Sequence, residues 1–543
     1  MMRTGNRAWR ISSWFLAGLL LSPIATLFYQ SVFADGDSFT HLWRTVLPTY
    51  IGNSLLLVLG TVGLSLLLAL PAAWLMAMYR FPGQAGLRWA LCLPLAMPPW
   101  LVAYIYTDLL DYAGPVQQWL RALAGWRSAS DYWFFPLRSL PGACLMLALV
   151  LYPYIYLLAR TALLEQAGNL THSARLLNHS APRAFWRISL PLARPAIVAG
   201  AALVAMETLG DFGTVSYFAV PTLTTAVFDI WLGYGDLGAA ARVSGLMLLL
   251  IFLFIVVERY SRRRQRMYQK TMGQEREPAP RLRGLRGALA QGYCWGLVLI
   301  AIGIPLYRLA VWSARYFSAS WSDAFVQYSR NSLTVAALAA LATLLVTLLL
   351  IFHHRLSGGA AARIPLRLAS SGYAIPGTIL AIGILIPFSV ADQLINALAR
   401  WLALPSPGLL LSGSLVALVA ACCVRFSAMM IGSLESSMAK ISPSLDMASR
   451  TLGCSPGAML WRVHLPLLRR GVLTGTLLVF IESMKELNAA LLLRPFNFET
   501  LATHVFTFTS DEQLELAALP AMMLVLVGLF PVIWLNRALE KKG

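Results

Sequence analysis

The feature that most limits this chain is a series of apolar runs of about 20 residues, the length a helix needs to cross roughly 30 Å of hydrocarbon. About 12 recur, near 11–33, 51–78, 87–107, 140–159, 196–220, 238–257, 287–311, 331–352, 368–388, 408–432, 471–493 and 515–536. A backbone at that depth must satisfy its own hydrogen bonds, and runs this long do so as helices. The third run carries Pro94, Pro98 and Pro99, so it must be bent or broken. A chain 58% hydrophobic and only 12% charged is not a soluble globular protein. The expected fold is therefore an all-α, polytopic membrane protein.

The net charge of +19 first suggests nucleic acid, but its distribution argues against that. Basic residues cluster at alternate inter-span loops: Arg3, Arg7 and Arg10; Arg175, Arg183, Arg187 and Arg194; Arg259, Arg262, Arg263, Arg264, Arg266 and Lys270. The series continues with Arg355, Arg363 and Arg367, with Arg450, Arg462, Arg469 and Arg470, and with Lys541 and Lys542. The intervening loops carry acids, among them Asp35, Asp37, Asp108, Asp111, Asp229, Asp236, Asp511 and Glu512. This is the positive-inside pattern, with both termini and the basic loops cytoplasmic, and it implies lipid rather than nucleic acid as the surrounding partner. The first run lacks a small-residue cleavage site, since Phe28–Phe33 is bulky, and reads as an uncleaved span. The six cysteines show no metal-ligand spacing, and no stable metal site is expected.

The chain is also duplicated. Trp186-Arg187-Ile188-Ser189-Leu190-Pro191-Leu192-Ala193-Arg194 returns 275 residues later as Trp461-Arg462-Val463-His464-Leu465-Pro466-Leu467-Leu468-Arg469. Tyr50-Ile51-Gly52-Asn53-Ser54-Leu55 likewise matches Tyr328-Ser329-Arg330-Asn331-Ser332-Leu333. Two halves of six spans each, 1–258 and 287–543, are expected in the same orientation because six is even. Residues 259–286, with Pro278, Pro280 and many arginines, form a basic cytoplasmic linker. Parallel repeats of this kind place the working site where the halves meet. No segment reads Gly-x-x-x-x-Gly-Lys-Ser/Thr, and no soluble domain is large enough to house a nucleotidase. Energy and solute capture must then come from partners, or the protein is a gradient-driven carrier or channel.

The repeated segment is polar and basic within a greasy chain, as suits a loop that grips a soluble partner. Each copy begins with a small-residue helix containing Ala174 or Ala448, which ends near Leu177-Asn178 or Leu452-Gly453 at a left-handed position that Asn and Gly tolerate. Ser180 and Pro182, or Ser455 and Pro456, then suit the start of a second short helix. That helix carries Phe185 or Leu460 before Leu190-Pro191 or Leu465-Pro466 leads into the next span. An interfacial aromatic anchor would explain one such loop; two at equal spacing favour docking.

These loops resemble the cytoplasmic signature loop (Glu-Ala-Ala…Gly…Leu-Pro) of binding-protein-dependent ABC importer permeases, whose coupling helices fit grooves in the ATPase subunits. Both copies are degenerate, with His172 and Met447 at the glutamate position and Asn178 at the first glycine. Met206–Val215 and Met484–Pro495 are similar to segments of the fused ferric-iron permeases, although thiamine and phosphonate permeases look alike. The family pattern has proline where this chain has Asn488, which predicts a less kinked span there. The resemblance implies a type I importer-like permease of a bacterial inner membrane, itself non-catalytic. It implies two cytoplasmic ABC ATPase subunits holding ATP and Mg, and a periplasmic solute-binding protein.

Glu207 and Asp211 lie four residues apart, hence on one helix face, and Glu482 and Glu486 repeat the arrangement 275 residues on. Thirteen residues separate Arg194 from Glu207, about 20 Å of helix, which places these acids past mid-bilayer. A charge there is expensive and is expected to line a water-filled path or to pair, for example with Lys485. Four carboxylates about a common axis would form a throat suited to a cation. Ferric ion prefers hard oxygen ligands, and Tyr217 could supply a phenolate. Thiamine is also cationic, so the acids alone leave the substrate open.

Overall fold

The computed structural model describes residues 2–33, 37–166, 185–263 and 280–540. The first series of helices is α1 (Met2–Phe33), α2 (Leu47–Met78), α3 (Gln84–Ala90), α4 (Pro99–Leu110), α5 (Leu140–Gln166), α6 (Leu190–Gly210), α7 (Gly213–Tyr217) and α8 (Leu237–Arg263). The second begins with α9 (Gly284–Val298), α10 (Ile304–Arg315), α11 (Asp323–Ser357), α12 (Gly359–Ala369), α13 (Gly377–Trp401) and α14 (Leu415–Met438). It ends with α15 (Pro443–Thr451), α16 (Leu465–Lys485), α17 (Asn488–Leu493), α18 (Leu501–Ser510) and α19 (Ala518–Glu540). Among the described residues the only extended pairing is an isolated bridge between Arg80 and Arg281.

Ten helices in the described residues are long and apolar enough to cross a membrane. A bent pair, Gln84–Ala96 with Pro99–Ala124, brings the number to 11. The pair turns through 93° where the prolines of the third run fall. Pro98 is extended (ψ 135°) and Pro99 opens α4, because proline donates no hydrogen bond and disfavours helix in the residue before it. The last expected span, 515–536, begins in the short turn Leu514–Ala517 and continues in α19, and the described apolar helix there runs over Leu514–Phe530.

The second half repeats the break. α12 passes through a tight turn at Ser370–Ala374 to an extended Pro376 (ψ 145°) that opens α13. The apolar run 368–388 therefore straddles a break rather than forming one helix. Runs 196–220 and 471–493 are also divided: α6 stops at Gly210 and α16 at Lys485 before the short helices α7 and α17.

The chain packs as two compact units that cut across the sequence halves. These units divide the chain by packing and are a different division from the sequence halves expected at 1–258 and 287–543. One unit holds residues 1–41, 226–245 and 321–507. Its centre is the trio α11, α14 and α16, and α1 lies along α11, α12 and α13. The Trp9 ring meets Phe352 edge-on at 4.9 Å. A Cβ at Gly383 would stand 2.5 Å from the Pro23 carbonyl oxygen, so only glycine lets α13 approach α1 this closely.

The other unit holds 42–225, 246–320 and 508–543, centred on the trio α2, α5 and α6. Within it α10 packs against α19, Arg308 forms an ion pair with Asp108, and Tyr106 Oη donates to the Ile300 carbonyl at 2.5 Å.

Candidate functional site

The second repeated loop is built from local hydrogen-bond chemistry. Ser442 caps α15, its Oγ accepting from the Ser444 N–H at 3.3 Å, and Pro443 occupies the first helical position. The far end of α15 closes on Gly453 at φ 78°. The Gly453 N–H donates to the Arg450 carbonyl and the Cys454 N–H to that of Ser449, each at 3.0 Å. This two-bond arrangement satisfies carbonyls a helix end leaves bare. Ser455 then caps the following turn through Ala458 N–H at 3.3 Å, with Pro456 first in that turn. A wider turn at Leu460–His464 continues into α16.

The side chains divide cleanly. Leu452 is 83% exposed and Trp461 64%, and Met447 and Ala448 also face outward. Leu460, expected among the partner-facing residues, is instead buried in a cluster with Phe352 and Met459, backed by Trp9, Leu356 and Val463. One residue along, the exposed apolar knob is Trp461. Leu465 is half-buried and Pro466 exposed.

In the first loop, Ala174, Leu177, Asn178, Ser180 and Pro182 lie outside the described residues. From Phe185 onward the pattern is that of the second loop. Phe185 is half-buried, its ring 5.1 Å from that of Trp74, while Trp186 is 66% exposed. Leu190 is half-buried and Pro191 exposed, as at Leu465 and Pro466.

An ionic cluster escaped the sequence reading. Asp446, adjacent to the Met447 that replaces the family glutamate, accepts from Arg355 Nε at 2.6 Å and from His464 Nε2 at 2.8 Å. Arg355 Nη2 also donates to the Ile441 carbonyl at 2.9 Å. Burial alone would raise the Asp446 carboxyl, but hydrogen bonds from Arg355 and His464 outweigh it and hold the group below its usual range.

The intramembrane acids do not form the common face expected of them. α6 ends at Gly210, and Asp211 is extended (ψ 126°), so it leaves the face that carries Glu207. Its carboxylate caps α7, accepting from Thr214 N–H at 2.9 Å, Thr214 Oγ1 at 3.1 Å and Val215 N–H at 3.3 Å. Glu486 behaves alike: extended (ψ 111°), it caps α17 through Ala489 N–H at 3.0 Å and pairs with Arg425 Nη1 at 2.6 Å. The span is thus broken beside Asn488 although proline is missing there. The carboxylate cap, which opens a new helix, needs no proline to do so.

Glu482 pairs with Lys485 at 2.9 Å and remains partly exposed, and Glu207 is half-buried. Tyr217 sits in an aromatic–cation group, its ring 5.6 Å from Tyr104 and beneath Arg138, rather than standing as a bare phenolate. Among the described residues no group of three or more His, Cys, Asp or Glu could hold a metal ion.

The repeated Asn-Ser pairs are latches. Asn53 Nδ2 donates to the Pro221 carbonyl at 3.0 Å, and Ser54 Oγ accepts from Leu223 N–H at 2.9 Å. In the second half Asn331 Nδ2 donates to the Glu499 carbonyl at 2.9 Å, and Ser332 Oγ accepts from Leu501 N–H at 2.7 Å. Each pair ties the head of a long span to the turn beyond a broken one.

The family described as "Binding-protein-dependent transport system inner membrane component" matches this chain twice, over residues 68–267 and 351–542. The chain belongs to that family. The chain is similar over 91% of its length, at 26% identity, to the Fe(3+)-transport system permease protein FbpB 2 of Haemophilus influenzae, and covers 91% of it. It is 21% identical, over 94% of its own length and 77% of the relative, to the ferric transport system permease protein FbpB of Actinobacillus pleuropneumoniae. The molybdenum transport system permease protein ModB of Escherichia coli matches 38% of this chain at 29% identity, with 92% of ModB covered.

As a binding-protein-dependent inner membrane component, the chain is a multi-span permease of the ABC importer class that works with a binding protein and an ATPase. Trp186 and Glu207 fall in the first matched range, and Trp461 and Glu482 in the second.

Proposed function

We propose that this chain supplies both permease halves of an importer, each repeated loop docking one of two cytoplasmic ATPase subunits, and that its cargo is ferric iron handed over by a periplasmic binding protein. The observation that carries the docking assignment is the matched exposure of Trp186 and Trp461 on duplicated basic loops. Exposed large apolar side chains of this kind mark protein contacts. ATP and Mg belong to the ATPase, and lipid covers the spans. The charge asymmetry supports cytoplasmic termini and a cytoplasmic 259–286 linker. Loops 108–138 and 494–514 then lie outside.

For the cargo, support comes from the two relatives that match nearly the whole chain, both named for ferric iron. Glu207 and Glu482 remain the acids for a cation path, because Asp211 and Glu486 are committed to capping. ModB, named for molybdenum, matches a smaller share of the chain, as do permeases named for sulfate, and they favour an oxyanion as the competing cargo.

The test is replacement of Trp186 and Trp461 together by alanine. The protein should accumulate normally and lose its ATPase on purification. Retention of the ATPase at wild-type stoichiometry would refute the docking assignment, whereas a wild-type chain that copurifies with no ATPase would favour a gradient-driven carrier.

A further inference from the structure

The second repeated loop is fixed by ionic side chains that the first half does not carry at the corresponding positions. In the second, Asp446 lies in the first turn of α15 and reaches two spans at once: Arg355 at the end of α11 and His464 just before α16. Arg355 also holds the Ile441 carbonyl in the segment entering α15. The group is well enclosed, His464 being fully buried and packed edge-on against Phe352 at 5.4 Å. At the corresponding positions of the first half the chain has Ala77, Thr171 and Ser189. None of these can form the ion pair.

We infer that Arg355, Asp446 and His464 are positioning residues that clamp the second docking loop to the spans on either side, so that motion of its ATPase passes rigidly into α11 and α16. The inference rests on the docking assignment above. None of the three touches the ATPase in this scheme; the exposed Met447, Leu452 and Trp461 do. A carboxylate bridging two partners resists displacement more than a single contact, because removing either partner leaves a buried charge incompletely paired. The first half lacks the side chains for this triad, so the two docking loops cannot be braced by the same ion pair.

The experiment uses the full complex of permease, ATPase and binding protein in proteoliposomes. It compares wild type with Asp446→Asn, Asp446→Glu, Arg355→Gln and the double variant Asp446→Asn/Arg355→Gln. The readout is the ratio of ATPase rate with loaded binding protein to the rate without it. Asp446→Asn and Arg355→Gln should each keep the ATPase in the complex and lower that ratio about tenfold, while Asp446→Glu restores most of it. The double variant should be no worse than either single one, as for residues acting as one unit.

Undiminished ratios in both single variants, or losses that multiply in the double one, would overturn the clamp. Loss of the ATPase itself would also overturn it, because Asp446 would then build the docking face rather than brace it. If Asp446→Asn does not accumulate, Arg355→Gln is judged alone on the same ratio and ATPase retention. A wild-type complex that holds no ATPase refutes the docking assignment, whereas a stimulated wild type beside an equally stimulated Asp446→Asn refutes only the clamp.

Discussion

Gly453→Ala isolates the backbone geometry of the second docking loop. Gly453 stands at φ 78°, and a Cβ there would meet nothing within 4 Å. The cost is therefore conformational rather than steric, about 1–2 kcal/mol for an L-residue in the left-handed region. That corresponds to a roughly 5–30-fold change in an equilibrium constant. If α15 must end in this closed turn to present Leu452 and Met447, the dissociation constant of the ATPase should rise by about that factor. Gly457 is the control, since it lies in the same loop within the helical turn Pro456–Met459, also with open space around its Cβ. Gly457→Ala should be neutral or slightly favourable, because alanine is the better helix former. Titrating purified ATPase against each permease variant in nanodiscs measures both effects. Unchanged affinity in Gly453→Ala, or equal weakening in both variants, would refute the reasoning.

Leu460→Ala should lower protein abundance and melting temperature, since truncating a buried leucine costs about 2–5 kcal/mol, whereas Trp461→Ala should leave thermal stability intact and weaken ATPase binding. Ser332→Ala leaves the buried Leu501 N–H without its acceptor, a loss of about 1–3 kcal/mol that should appear as a lowered melting temperature, and Ser54→Ala should act alike. Asp446 has a depressed folded-state value, so its contribution is present above the ordinary value of about 3.9 and is lost as pH falls through the lower folded value. Thermal melts should therefore show no loss from protonation of the Asp446 carboxylate between neutral pH and about 5, and an Asp446-dependent fall at mildly acidic pH would contradict that sign. Cysteine labelling from the periplasmic side, in a background without native thiols, should reach position 131 and miss position 270; the reverse pattern would invert the topology.

The spans were legible because their signal is continuous: twenty apolar residues read the same whatever packs around them. Gly453, Ser455 and Pro456 were legible because caps are local chemistry, satisfied within a few residues. The breaks at Asp211 and Glu486 were not, because a carboxylate four residues along an apolar run reads equally well as the next position on a helix face. What decides is whether it caps a new helix, and for Glu486 that is reinforced by Arg425, 61 residues away. A lone arginine inside the run 408–432 was the available signal. Asp446 was hidden by register, one place before the expected glutamate, and its partners Arg355 and His464 are distant in sequence. Leu460 and Trp461 are adjacent apolar residues, and only the direction of the helix entering α16 separates the buried one from the exposed one. The exchange of α1 between sequence halves is a packing outcome that periodicity does not encode.

The central claim, an ATP-driven importer whose permease carries ferric iron, is tested most directly by reconstitution. Proteoliposomes containing this chain and its ATPase, with ATP inside and iron-loaded binding protein outside, should accumulate labelled iron. Omitting the ATPase, the ATP or the binding protein should abolish uptake, and labelled thiamine, sulfate and molybdate should not enter under the same conditions. Glu207→Gln/Glu482→Gln should assemble with the ATPase yet import far less iron per complex. Uptake driven by an ion gradient without the ATPase would contradict the importer account, and ATP-driven uptake of an oxyanion in place of iron would contradict the cargo.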